Sequence, residues 1–299
     1  MKEKVLITGG TGLIGNRLTE VLFNRGYEVM HLSRTPSNGP VKTFVWDIEK
    51  KELDIESIKE ADYIIHLAGA GLADKRWTDK RKEVIISSRV DSANLLYQSI
   101  EQHPNKIKAF ISASGISIYG DRGSELIQES DPPGEGFLSE TAVKWEAAAE
   151  QFKVLNKRVV IIRTGLVLSA KEGIMPPLKK SLNFGLDPYF GDGTQYYSWI
   201  HLDDLCAIYI KAIEDENMSG VYNGVAPEPK TNEQFVREIK DVLNRNAFVI
   251  SAPRLGLRIF LGEMANVLLM SNNVSSQKLQ SEGFIFQYPH LKEAVRSLY

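Results

Sequence analysis

Residues 4–15 read Lys-Val-Leu-Ile-Thr-Gly-Gly-Thr-Gly-Leu-Ile-Gly and indicate the fold class more clearly than any other stretch. Val5 to Thr8 predict a short buried strand, and the apolar residues from Leu13 to Leu22 recur at helical spacing. In the intervening turn Gly10, Gly12 and Gly15 fit G-x-G-x-x-G, a pattern that lets the backbone approach a pyrophosphate at a helix N-terminus. We therefore predict a dinucleotide site, with contacts from Gly9, Gly12, Leu13, Ile14 and Gly15.

The tip of the second predicted strand, Glu28 to Leu32, indicates which dinucleotide is bound, since this tip meets the adenosine ribose. An NAD site places a carboxylate there, whereas this chain continues with Ser33 and Arg34. A hydroxyl and a forked guanidinium suit a 2′-phosphate, and the alternative is that Arg34 is only solvated at a loop edge. We predict NADP(H) as the cofactor.

Two further strands contribute to the predicted cofactor site. The third, Phe44 to Asp47, ends in an acid within reach of the adenine amino group. The fourth, which begins at Asp62, runs into a turn of small residues that includes Gly69, as expected where a turn passes the cofactor. Asp47 and Gly69 therefore join the predicted contacts.

The alternation of strands and helices predicts an α/β protein built on a doubly wound parallel sheet, the Rossmann arrangement. The pattern runs from residue 4 to about 167, with a loop over Asp121–Glu140 and a helix over Thr141–Leu155. Glycine and proline then interrupt it, and short strands follow near residues 199–201 and 221–223. We predict a cofactor domain of residues 1–167 and 198–226. Residues 168–197 and 227–299 would form a smaller C-terminal α/β lobe over the strand ends.

Composition limits the classes of partner. A net charge of −2 gives no electrostatic reason to expect a nucleic acid or an anionic membrane. The single cysteine, Cys206, excludes an internal disulfide, and the five histidines show no metal-ligand spacing. No signal peptide precedes the first strand and no apolar run approaches a membrane span. We expect a cytoplasmic protein without a metal, a monomer or homodimer, that acts on a small molecule.

Several motifs together resemble the extended short-chain dehydrogenase/reductases, in the epimerase/dehydratase branch. They are Thr8–Gly15, Ser114 before Ile118-Tyr119-Gly120, Arg163-Thr164-Gly165 and Trp199–Leu205. Other motifs resemble an epimerase-like subgroup with a C-terminal domain of unknown role, among them Ser33-Arg34, Arg76-Trp77, Ser88-Arg89, Lys144–Ala149, Asn223–Pro227 and Leu261–Ala265. The resemblance implies cofactor contacts from Ser33, Arg34, Leu67, Ala68, Glu83, Arg89 and the backbone of Val167.

The chain departs from this family at its usual acid/base. Active members carry Tyr-x-x-x-Lys on one helix, and counting back from Lys144 places Glu140 where the tyrosine belongs. Lys144 is either a ribose-binding residue or a surface lysine. Tyr119 is either a substitute proton donor or a structural aromatic of the pocket wall. Ser114 matches the catalytic serine counted from the strand start, whereas counting from Tyr119 selects Gly115.

Two functions remain open on this evidence. The first is an NADP(H)-dependent oxidoreductase or epimerase-like enzyme for a small carbonyl or sugar-like substrate. In it, Lys144 would orient the cofactor, Ser114 would polarise the substrate oxygen, and Tyr119 or water would supply the proton. The second is an NADP(H)-binding redox sensor or scaffold with little or no catalysis. A polar pocket beside the nicotinamide would favour the enzyme, and an apolar plug would favour the binding protein.

Three remaining features have structural explanations. We predict that His201 makes structural hydrogen bonds and that Asp203 and Asp204 cap the helix they open. Thr231 and Gln234 have the spacing of a capping box. The apolar segment from Leu255 to Met270 suits either the core of the lobe or a contact between subunits.

Overall fold

A computed structural model describes residues 2–299 of the chain. Its strands are β1 (Lys4–Thr8), β2 (Glu28–Ser33), β3 (Lys42–Asp47), β4 (Glu52–Leu53), β5 (Tyr63–His66), β6 (Ala109–Gly115), β7 (Leu126–Ile127), β8 (Arg158–Thr164), β9 (Leu166–Leu168), β10 (Leu186–Phe190), β11 (Tyr196–Tyr197), β12 (Trp199–His201), β13 (Gly220–Gly224), β14 (Lys230–Thr231), β15 (Phe248–Ala252) and β16 (Asn273–Val274). Its α-helices are α1 (Leu13–Asn24), α2 (Glu56–Glu60), α3 (Asp79–Gln102), α4 (Phe137–Glu150), α5 (Met175–Asn183), α6 (Leu202–Glu214), α7 (Asn232–Val242), α8 (Arg254–Leu261), α9 (Ala265–Leu269), α10 (Gln277–Ser281) and α11 (Leu291–Leu298). Short 3₁₀ turns occur at Ile116–Tyr119, Gln151–Leu155 and Gly262–Met264.

The central sheet has the order β13-β8-β6-β5-β1-β2-β3-β4 and is parallel except for β4. Its strands are apolar on both faces because both faces are buried: Val5 and Ile7 pack on one side and Leu6 on the other. Helices α1 and α6 cover the first side, and α2, α3 and α4 cover the second. The predicted doubly wound parallel sheet is confirmed.

A smaller cluster of elements packs beside the carboxyl ends of the strands. The parallel pair β10 and β15 carries α5 and α7, and α11 packs against α7. Their shared core includes Leu178, Phe235, Ile239, Leu291 and Val295, all buried. The capping box is confirmed, with Thr231 and Gln234 each bonding the other's backbone N–H at the start of α7.

Two local predictions need correction. Helix α4 begins at Phe137 rather than residue 141, because Ser139 bonds the Ile118 and Gly134 carbonyls and Leu138 packs against Trp77. The preceding loop contains β7, which pairs with the distant β16. Both short strands are present as predicted: β12 pairs with β9 and its Ile200 packs in the core of the central sheet, and β13 joins that sheet.

The start of α6 also differs in part from the prediction. The cap is the His201 ring, whose Nδ1 accepts from the Asp203 N–H at 3.1 Å. Asp203 instead pairs with Arg17 at 2.6 Å, and Asp204 accepts the backbone N–H groups of Gln287 and Tyr288. The predicted structural role of His201 is confirmed, and both acids lie in the first turn, where the helix dipole favours them.

The last part of the chain is bonded to the central domain at several points. Ser198 Oγ donates to the Asn272 carbonyl and accepts from the Val274 N–H, and Asn223 Nδ2 donates to the Ser275 carbonyl.

Within residues 2–299, no helix combines the length and apolar character that a bilayer crossing requires.

Candidate cofactor and active site

The glycine turn between β1 and α1 leaves a helix N-terminus free of side chains. Gly12 is the N-cap of α1, and no side chain caps the first turn. The first N–H groups of a helix, here from Leu13 onward, have no intrahelical acceptor. A Cβ at Gly12 would meet only the Gly9 oxygen, at 3.4 Å, so the approach to this turn is open. The geometry fits a pyrophosphate.

The other predicted glycines are needed for packing. A Cβ at Gly15 would lie 2.4 Å from the Gly9 oxygen, and a Cβ at Gly9 would lie 3.0 Å from the Leu67 carbonyl. Gly10 has a different neighbour, because a Cβ there would lie 2.5 Å from the ring of the buried His31. Close backbone approach therefore explains Gly9 and Gly15, and the histidine explains Gly10.

A buried polar network holds the turn against β5. Thr8 Oγ1 accepts the Leu67 and Ala68 N–H groups, both at 3.2 Å, and lies 2.8 Å from His66 Nδ1. His66 Nε2 lies 3.2 Å from Ser92 Oγ on α3. Burial lowers the pKa of His66 to about 4, so the ring is neutral. Sequence reasoning missed this network, although a histidine at the end of an otherwise apolar strand is a signal for it.

Ser33, Arg34 and Asp47 lie at the carboxyl ends of the neighbouring strands β2 and β3. Arg34 is exposed and makes no ion pair with any residue from 2 to 299. Asp47 Oδ1 accepts the Lys50 N–H at 3.0 Å, a bond that lowers the pKa of the carboxyl. Arg34 is thus available to an anion. Asp47 shapes the turn into β4, and its contact with adenine stays a prediction.

Arg89 is a buried cation whose partners among the described residues are all neutral. Its Nη1 donates to the carbonyls of Ala70 and Ile85, and its Cζ lies 4.9 Å from the centre of the Trp145 ring. A Cβ at Gly69 would lie 3.0 Å from this Cζ, so the guanidinium lies directly on the Gly69 turn. Burial lowers the pKa of Arg89 to about 10, which leaves it charged at neutral pH. A buried cation without a carboxylate fits an anionic ligand.

The remaining contacts implied by the resemblance lie at two places. Glu83 is on the exposed side of α3, six residues before Arg89, without an ion pair in the described chain. Val167 is half-buried in β9 beside Ile200 of β12, with its backbone at the carboxyl side of β8. Both remain predictions as cofactor contacts.

Helix α4 buries a face without an acid/base pair of the usual kind. Leu138, Ala142 and Glu146 lie on this face at four-residue spacing. Glu140 and Lys144 are exposed and make no ion pair, with each other or with other described residues. The Tyr-x-x-x-Lys position predicted from Lys144 therefore lies on the solvent side of the helix.

Ser114 and Tyr119 belong to a buried network centred on Arg163. The Ser114 hydroxyl donates to Glu146 at 2.7 Å, and Arg163 binds both oxygens of Glu146 at 2.8 Å. The Tyr119 hydroxyl donates to Asn223 at 2.7 Å and accepts from Arg163 at 2.8 Å. Burial raises the pKa of Tyr119 to about 12, and its side chain is inaccessible to solvent. This placement favours the structural interpretation of Tyr119 over the proton donor.

A cavity of about 440 Å³ lies where segments that follow β5 and β6 meet the C-terminal part of the chain. This is the side opposite to β2, where the second half of a dinucleotide would extend. The cavity is lined by Trp77, Asp121, Glu135, Gly136, Phe137, Leu138, Arg254, Arg258, Glu263, Asn266, Leu269 and Met270. Polar and apolar side chains both line it, and its size suits a small molecule. Among residues 2–299, no cluster of three potential ligands suits a metal ion.

Comparisons with known proteins agree with this architecture. The model of the NAD dependent epimerase/dehydratase family matches residues 5–223, and that of a domain of unknown function (DUF1731) matches residues 252–298. Human epimerase family protein SDR39U1 is 32% identical over 298 residues, which cover 99% of each chain. Epimerase family protein SSP1921 of Staphylococcus saprophyticus is 35% identical, with 98% of each chain covered.

Comparisons with solved structures agree with these family and sequence matches. The crystal structure of human SDR39U1 with NADPH has a TM-score of 0.89 at 31% identity, covering 99% of this chain and 98% of that one. A UDP-glucose 4-epimerase from Thermotoga maritima shares the fold at 18% identity, with a TM-score of 0.79 and coverage of 98% and 96%. The chain therefore belongs to the NAD-dependent epimerase/dehydratase family.

Proposed function

We propose that this chain is an NADP(H)-dependent oxidoreductase or epimerase-like enzyme that acts on a small carbonyl or sugar-like compound. The observation that carries the proposal is the joint presence of an uncapped glycine turn and a mixed cavity on the nicotinamide side of the same sheet edge. The human relative that was solved with NADPH supports the choice of cofactor.

Four groups of this chain would hold the cofactor. The N–H groups of Leu13 and Ile14 bind the pyrophosphate, and Arg89 adds a positive charge beside the Gly69 turn. Ser33 and Arg34 bind the 2′-phosphate, because a fork of N–H donors matches phosphate oxygens. Lys144 is exposed and unpaired on α4, which leaves it free to reach the nicotinamide ribose.

When bound, the cofactor supplies or accepts a hydride. The chain orients the substrate in the cavity beside it, and this orientation is its main contribution to the rate. The hydroxyls of Ser114 and Tyr119 bond Glu146 and Asn223, so neither is free to donate a proton to a substrate. Glu135 and Gly136 on the cavity wall are exposed, so water reaches the site and supplies the proton.

A second candidate is an NADP(H)-binding protein with little or no turnover. The observation that favours it is that Glu140 stands where active relatives carry tyrosine, and that Glu140 and Lys144 are both exposed. Such a protein would signal the redox state of the NADP pool through its occupancy.

The first test is a titration with NADPH and NADH, followed by nicotinamide fluorescence. We expect tighter binding of NADPH by the wild type. Arg34→Ala should weaken the binding of NADPH by about tenfold or more, because a charge-assisted contact with the 2′-phosphate is lost. The affinity of the variant for NADPH should then approach its affinity for NADH. Arg245→Ala, which removes another exposed arginine, is the matched control and should change neither affinity.

Turnover separates the two candidates. Oxidation of NADPH is measured with a panel of small aldehydes, ketones and keto sugars, for the wild type and for Lys144→Ala. Substrate-dependent oxidation that the variant slows supports the enzyme. Tight binding without oxidation of NADPH by any compound would favour the binding protein, and failure to bind either nucleotide would overturn both candidates.

A further inference from the structure

Helix α8, the first helix of the domain of unknown function, has an unusual orientation. Surface helices normally turn their apolar stripe towards the core. In α8 no residue is buried, and the side chains of Leu255, Ile259 and Phe260 are 73%, 65% and 82% exposed. Arg254 and Arg258, four residues apart on one face, instead line the cavity. The helix therefore presents its cations, not its apolar side, to the site.

The two arginines differ in what they bind. Arg254 packs on Gly191 and pairs with Asp192 at 3.3 Å. Arg258 has no hydrogen bond or ion pair with any side chain from 2 to 299. Its guanidinium is thus a free forked donor on the wall of a cavity whose size suits a small molecule.

The carboxylates around the cavity do not neutralise Arg258. Glu263 pairs with Lys82 at 2.5 Å, and Asp121 accepts the N–H groups of Gly123 and Ser271. Glu135 also lines the cavity and has no ion pair in the described chain. Arg258 is therefore the arginine of the lining that has no acidic partner among residues 2–299, and it attracts an anionic group.

We propose that Arg258, with Arg254 beside it, binds an anionic group of the substrate, and that this is a role of the domain of unknown function. The substrate would be a small carbonyl compound that carries a carboxylate or a phosphate at one end. This inference rests on the proposed function, because the anion is placed in the cavity beside the nicotinamide.

The test uses the full-length protein saturated with NADP⁺, titrated with inorganic phosphate and, separately, with succinate. Chloride keeps the ionic strength constant, since surface attraction depends on salt. Tryptophan fluorescence reports binding, because Trp77 lines the cavity. Arg258→Ala is compared with Arg296→Ala, an exposed and unpaired arginine of the same domain, and thermal unfolding checks that both variants are folded.

We expect saturable binding by the wild type and by Arg296→Ala, and at least about tenfold weaker binding by Arg258→Ala. Arg258→Lys should give an intermediate value, because it keeps the charge and loses the fork. If only phosphate or only succinate binds, the result identifies the anionic group as a phosphate or a carboxylate. Equal binding by all variants, or no saturable binding of either anion by the wild type, would overturn the inference.

The titration with NADPH distinguishes a failure of this inference from a failure of the proposed function. Arg258→Ala should bind NADPH as the wild type does, because Arg258 lies outside the predicted cofactor contacts. If NADP⁺ fails to bind at all, the proposed function is wrong. The anion titration on the unliganded protein then still shows whether Arg258 holds an anion.

Discussion

At the scale of single residues, the Arg163–Glu146 pair places two opposite charges in the interior. Both side chains are about nine-tenths buried, which is costly for charges unless their hydrogen bonds are complete. Arg163 satisfies this condition by donating to Glu146, to Tyr119 and to the Glu129 carbonyl. The pair thereby fixes Ser114 and Tyr119, the two hydroxyls that the sequence offered for catalysis.

Breaking this pair should cost far more than removing the phenol. We expect Glu146→Gln to lower the free energy of unfolding by about 3–5 kcal/mol, since it leaves a buried guanidinium uncompensated. Tyr119→Phe should lower it by about 1–3 kcal/mol, because Asn223 and Arg163 each lose a partner. Urea unfolding measures both. Glu140→Gln, on the exposed side of α4, is the control and should be neutral.

The same tyrosine variant tests the catalytic alternative. If Tyr119 is structural, Tyr119→Phe should retain its NADPH affinity and any substrate-dependent oxidation of NADPH, apart from the loss of stability. Loss of turnover with unchanged stability would show that the phenol is the proton donor after all.

At the scale of elements, the turn from β1 to α1 combines two demands on glycine. Gly15 and Gly9 allow backbone segments to approach each other, whereas Gly12 leaves open space in front of the helix. The first demand belongs to folding and the second to ligand binding. Substitutions at the two kinds of position should therefore separate stability from affinity.

Two alanine variants make this separation measurable. Gly15→Ala should lower the free energy of unfolding by about 1–3 kcal/mol, because its Cβ would overlap backbone atoms. Gly12→Ala should lower it by about 1 kcal/mol or less, because alanine is a poorer N-cap than glycine, yet weaken NADPH binding by about tenfold. Calorimetry measures the loss of stability, and the fluorescence titration measures the loss of affinity for NADPH. Equal affinities for Gly12→Ala and the wild type would contradict a pyrophosphate at this turn.

At the scale of the whole molecule, three buried histidines connect folding to pH. Burial lowers the pKa values of His31, His66 and His201, so all three are neutral in the folded protein. The unfolded chain binds protons at these rings near pH 6.5, whereas folded His66 does so only near pH 4. The stability that neutral, buried His66 contributes is therefore fully present above pH 6.5 and is lost as the pH falls towards 4.

His66 should account for a large share of this acid sensitivity. Its shift corresponds to a loss of about 3 kcal/mol between pH 6.5 and 4. We expect His66→Asn to flatten the dependence of the unfolding free energy on pH over this range, even if it is less stable at pH 7. Urea unfolding at half-unit steps measures the slope. An unchanged slope would show that His66 is not the group responsible.

The parts of the fold that could be predicted from the sequence are those with local signals. Strands buried on both faces produce apolar runs, so β1, β2, β5, β6 and β8 are evident. The capping box at Thr231 is equally local. The pairing of β7 with β16 was not predicted, because it joins segments almost 150 residues apart.

In the candidate site, too, local patterns could be predicted, whereas contacts between distant segments could not. The glycine turn follows from a short pattern, whereas the reason for Gly10 requires the ring of His31 from a neighbouring strand. Helix periodicity places Lys144 and Glu146 on different sides of α4, but only the packed structure shows which side is buried. The sequence left open whether the segment from Leu255 to Met270 lies in the core of the lobe or in a contact between subunits, and only the structure shows that Leu255, Ile259 and Phe260 are exposed.

The bonds between the C-terminal segment and the central domain have a practical consequence. Family models separate residues 5–223 from 252–298, yet a chain truncated at 251 would lose partners of Ser198, Asp204 and Asn223. These atoms are buried, so their desolvation would be uncompensated. A protease that cuts the exposed α8 should accordingly leave two fragments that stay associated and co-elute. Expression and engineering should therefore keep residues 5–223 and 252–298 together.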